Sequence, residues 1–69
     1  MKIENVLQRN EKKIMAISGV VGIGIGESQG IPVIVVMVKE LTQALENKLP
    51  HQLDGYAVKV EEVGEITAL

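Results

Sequence analysis

Three glycines at alternate positions, Gly22, Gly24 and Gly26, are the residues whose spacing first suggests chemistry. Glycine-rich loops hold phosphate because they turn tightly enough to aim backbone amides, and the amino terminus of a following helix, at the anion. Here the spacing is GxGxG, no Lys-Ser or Lys-Thr follows, and the next element reads as a strand. That context excludes a phosphate loop. In a strand, residues two apart share a face, so the glycines predict a strip without side chains beside the face formed by Val21, Ile23 and Ile25. Another backbone could approach such a strip closely.

The other reactive side chains are scattered. His51 is the single histidine, with Asp54 three residues on, whereas a metal site needs three or four ligands. Ser18 reads as a helix-end residue and Ser28 as part of a turn. Neither has an evident base and orienting carboxylate, and the chain has no cysteine to act as nucleophile or ligand. Glu61-Glu62, or Asp54 with Glu65, could be paired carboxylates, but on an exposed strand they read as solubilising charge, with Lys59 and Glu61 discouraging edge pairing. Tyr56, the one aromatic residue, reads as packing at the core edge with its hydroxyl in water. No residue is assigned a catalytic, cofactor-binding or metal-ligating role, and a non-enzymatic protein without cofactors is expected.

The elements that position these residues follow from two uncharged runs, Ile14 to Gly26 and Ile31 to Val38, separated by Glu27-Ser-Gln-Gly30. So short a break, with glycine at its end, predicts a reversal, and the two runs predict a β-hairpin. Before it, Ile3, Val6, Leu7, Ile14 and Ile17 follow helical spacing, interrupted at Asn10, which predicts a first helix from about Ile3 to Ile17 with Gly19 as its left-handed cap. Val20 to Gly26 switches to period two, and Pro32 must sit at the start of the second strand or on an unpaired side. Leu41, Ala44, Leu45 and Leu49 return to helical spacing, with Thr42 as amino-terminal cap and Pro50 as stop. Asp54-Gly55 signals a turn, and Tyr56, Val58 and Val60 alternate with polar residues as a third strand that Gly64 interrupts. Ile66 to Leu69 is a candidate fourth strand or a frayed tail.

The order α-β-β-α-β predicts an α+β fold, a two-layer sandwich of one mixed or antiparallel sheet with two helices on one face, spanning residues 1 to 69 as a single domain. Strand three can pair parallel to strand two or antiparallel to strand one, and both arrangements obey the crossover rule. At 69 residues, about 60% of the unfolded chain's surface is buried on folding, and the core must be aliphatic. A second copy or a protein partner is therefore an expected supplement to stability.

Seven basic and nine acidic residues give a net charge of −2 with no basic block, and only one aromatic ring is present for stacking, which argues against nucleic acid. Anionic membrane surfaces are disfavoured on the same ground. Although Lys12-Lys13 before Ile14 to Gly26 imitates a signal peptide, Glu4 and Glu11 flank it and no small-residue cleavage site precedes Glu27. Neither run reaches the roughly 20 residues of a membrane span. A cytoplasmic location is expected.

The strings Val20-Val-Gly-Ile-Gly-Ile-Gly26, Val35-Val-Met-Val-Lys39, Leu49-Pro50, Leu53-Asp-Gly-Tyr56 and Val58-Lys-Val-Glu-Glu-Val-Gly64 resemble the amino-terminal region of certain bacterial and plant trypsin-like peptidase-related proteins. They are similar, too, to small stand-alone bacterial proteins of unknown function. In the longer relatives a peptidase-like domain follows; this chain stops at Leu69, so the resemblance implies no catalytic residue at any position. It implies an accessory module, regulatory or pro-region-like, acting on a separately encoded peptidase. The residues themselves favour a self-association or protein-interaction module, because two short helices can cover only one sheet face. Its candidate interface is Gly22, Gly24, Gly26, Ile34 and Val36; a small-molecule ligand is not expected, since no concave pocket with converging polar groups is evident.

Overall fold

The first element to form its own geometry is the helix α1 (Ile3–Met15), which turns Ile3, Val6 and Ile14 inward on one stripe. Glu4 in its first turn and Lys12 and Lys13 in its last complement the helix dipole. The polar residue in the apolar pattern does not break it: the Asn10 amide donates to the carbonyl of Val6 at 2.8 Å. The helix ends before the expected Ile17. There the chain tightens, the Ile17 amide bonding the Ile14 carbonyl at 3.0 Å, and Gly19 at φ 99° turns it into the sheet.

Strands β1 (Val20–Ser28) and β2 (Ile31–Val38) form the hairpin expected from the two uncharged runs. Their loop is only Gln29-Gly30, at φ 53° and 80°. Two successive positive φ values are those of a type I′ turn, whose twist matches that of the strands it joins. The loop fixes the register: Ser28 lies opposite Ile31, Gly26 opposite Val33, Ile25 opposite Ile34, Gly24 opposite Val35 and Ile23 opposite Val36. A bulge between Val20 and Gly22 ends the regular ladder.

Helix α2 (Gln43–Lys48) begins where Thr42 accepts a hydrogen bond from the Leu45 amide at 3.1 Å, and Pro50 follows its end. A two-residue strand β3 (Gln52–Leu53) then reverses through Asp54-Gly55, again at positive φ, into β4 (Tyr56–Glu62). The sheet order is β1-β2-β4-β3, with β4 parallel to β2 and antiparallel to β3. Strand β2 is thus central, as suits its apolar residues on both parities. The fold is the expected α+β class, with a four-stranded mixed sheet. Its fourth strand is Gln52–Leu53; the candidate at Ile66 to Leu69 lies outside the described residues, which are 2–64 of this computed structural model.

Both helices pack on one face of the sheet. Ile14, Leu45 and Leu49 close over Val36 and Val38, while Ile3 and Val6 close over Ile34. Val58 and Val60 of β4 pair with Ile34 and Val36 and line the same face.

Candidate functional site

The register separates the residues expected to act together. Gly22, Gly24 and Gly26 lie across from Met37, Val35 and Val33 on the helix-free face. Ile34 and Val36 have the opposite parity and are fully buried, at 0% exposure, beneath the helices. They belong to the core and leave the candidate interface. Their places beside the glycines are taken by Val35 and Met37, both half-buried. The signal was present in Gly22-Ile-Gly-Ile-Gly26: only the isoleucine side of that strand offers side chains to a helix, and the two-residue loop carries the same side onto Ile34 and Val36.

The glycine strip is not open along its length. A Cβ at Gly22 would come within 2.9 Å of the Met37 methyl, and one at Gly26 within 2.8 Å of Val35 Cγ2. Both distances lie inside van der Waals contact, so β2 side chains fill the two ends of the strip. Only Gly24 faces free space, with no atom within 4 Å of an added Cβ.

Among the described residues, what the hairpin leaves unpaired is its rim. Strand β1 is one edge of the sheet, nine residues long, without proline and without charge until Glu27. Proteins usually protect such an edge with lysine, proline or brevity, because its outward amides and carbonyls are a template for another strand. Three large hydrophobic residues on the hairpin are exposed: Val21 at 51%, Ile25 at 45% and Ile31 at 64%. At the opposite edge β3 has only two residues, and beyond it Val58 to Glu62 of β4 pair with no described strand on that side but carry Lys59, Glu61 and Glu62.

The described residues also form hollows that the sequence did not suggest, two of which stand out. The larger of these, about 440 Å3, lies between α1 and the last turn of α2 with the segment that follows it, and is lined by Asn10, Lys13, Ile17, Asn47, Lys48 and Leu53 among others. Its polar groups are two amides and two ammonium groups, which could hold an anion but supply neither base nor nucleophile. The helices that build it are distant in sequence, so no local pattern announced it. The smaller, about 220 Å3, includes His51 and Glu46. Among the described residues, no three potential metal ligands converge, and no helix is long and apolar enough to cross a membrane.

No protein-family model, curated protein or solved structure matches this chain.

Proposed function

We propose that this protein is a non-enzymatic self-association module in which a second copy engages the β1–β2 hairpin. The observation that carries this reading is the β1 edge, which pairs with no other described strand on its outer side and is flanked by the exposed Val21, Ile25 and Ile31. An occupant of that edge must supply extended backbone to meet the outward amides and apolar side chains to cover the isoleucine. The chain's own hairpin offers both. The small size of the domain adds a motive, since a second copy removes further apolar surface from water at about 25 cal/mol per Å2.

An interface of a few strand residues is small, so association is expected in the weak range, with Kd on the order of 10 µM to 1 mM. Sedimentation equilibrium across that range tests the reading. The mass should climb from monomer toward dimer as concentration rises; a mass fixed at the monomer throughout overturns it.

A further inference from the structure

We propose that two copies join β1 to β1, antiparallel, about a two-fold axis passing through Gly24, so that their sheets become one continuous eight-stranded sheet. This rests on the self-association reading and gives it a register. The first observation is that Gly22-Ile23-Gly24-Ile25-Gly26 reads the same in both directions. An isologous contact sets each surface against itself reversed, so a palindromic strand pairs every residue with its own kind.

The second observation is where the backbone groups point. A two-residue hairpin loop makes Ser28 and Ile31 a hydrogen-bonded pair, and antiparallel pairs alternate in type along the ladder. Gly26, Gly24 and Gly22 therefore spend their amides and carbonyls on β2. Those of Ile23, Ile25 and Glu27 point out from the edge. With the axis at Gly24, Ile23 of one copy meets Ile25 of the other, and both symmetry-related pairs have their donors and acceptors in place. The 45%-exposed Ile25 side chain then lies beside Ile23 of the second copy.

Neighbouring registers are worse. Moving the axis to Ile25 sets the Glu27 carboxylate against Ile23, a residue packed on the core. Moving it to Ile23 opposes Ile25 to Val21, which lies in the bulge and has no ladder partner on β2; moving it to Glu27 sets two carboxylates together. With the axis at Gly24 the regular pairing runs from Gly22 to Gly26, and Glu27 falls opposite the exposed Val21 only at the bulge, where the regular ladder has ended and the carboxylate can turn to water.

Gly24 occupies a closely spaced, non-hydrogen-bonded position across the axis, where Cα atoms sit about 4.5 Å apart, within disulfide range. The chain contains no cysteine, and Gly24 is free of neighbours, so Gly24→Cys introduces a single thiol without crowding. Oxidised glutathione serves as electron acceptor, and Ala57→Cys, exposed on β4, is the control. Gly24→Cys should form covalent dimer at least about tenfold faster than the control. Equal rates in a protein that still sediments as a dimer overturn the Gly24 register and leave self-association standing, whereas a monomer at all concentrations removes both. Ile25→Pro, which deletes an outward amide while sparing the bonds to β2, should raise the dimer Kd about tenfold or more with circular dichroism unchanged. A folded Ile25→Pro protein that associates as wild type also overturns the proposal.

Discussion

The two faces of the β1–β2 hairpin share one backbone and follow different rules. Beneath the helices, Ile23, Ile34, Val36 and Val38 interlock with α1 and α2, and every volume is set by a neighbour. On the helix-free side, glycines on β1 leave room for Val35 and Met37 to lean across the sheet. The first face holds the fold by filling space with side chains. The second does so by omitting them, and the difference teaches that a glycine in this sheet is a packing residue at two positions and a vacancy at one.

The contrast between the faces can be broken most forcefully at β2. Val36→Asp places a carboxylate at a site of 0% exposure with no polar partner, and should cost about 4 kcal/mol or more, enough to abolish a cooperative thermal transition. Met37→Asp, one residue along on the half-buried side, should retain that transition. A smaller loss is expected from Ile34→Ala, about 2–5 kcal/mol through the cavity it leaves, read as a shift in urea midpoint at low micromolar protein.

The glycines then sharpen the comparison within one face. Gly26→Ala drives a methyl against Val35 Cγ2 and should destabilise by about 1–3 kcal/mol. Gly24→Ala meets nothing and has no positive φ to strain it, so its effect should lie between neutral and about 0.5–1 kcal/mol of stabilisation, since glycine loses more backbone entropy on folding. Equal effects at Gly24 and Gly26 in the same urea titration would show that β2 side chains do not hold the strip as described.

Much of this arrangement is legible in the residues. The 3–4 spacing of Ile3, Val6 and Ile14, the polar break before Gly30, Thr42 with Pro50, and Asp54-Gly55 each state a local rule, and each marks an element or turn that forms. Strand order is not legible, because a central strand apolar on both parities satisfies either pairing of the last strand. Strand β3 escaped for a different reason. Two residues after Pro50 and His51 have no room to alternate, and they become a strand only because the following turn folds them onto β4. The assignment of Ile34 and Val36 to an interface failed because parity names two faces without saying which one the helices take; the side-chain-free parity of β1 was the missing clue.

The brevity of β3 has a consequence for growth. A sheet with two long bare edges can add copies without end and become a fibre. If two of these molecules join through β1, the outer margin on each side is β3 followed by the part of β4 that β3 leaves unpaired, Val58 to Glu62, where brevity gives way to the charges of Lys59, Glu61 and Glu62. Among the described residues, a third copy would therefore have to pair with a margin that is either two residues long or lined with charge, and the segments that discourage growth take no part in the proposed contact.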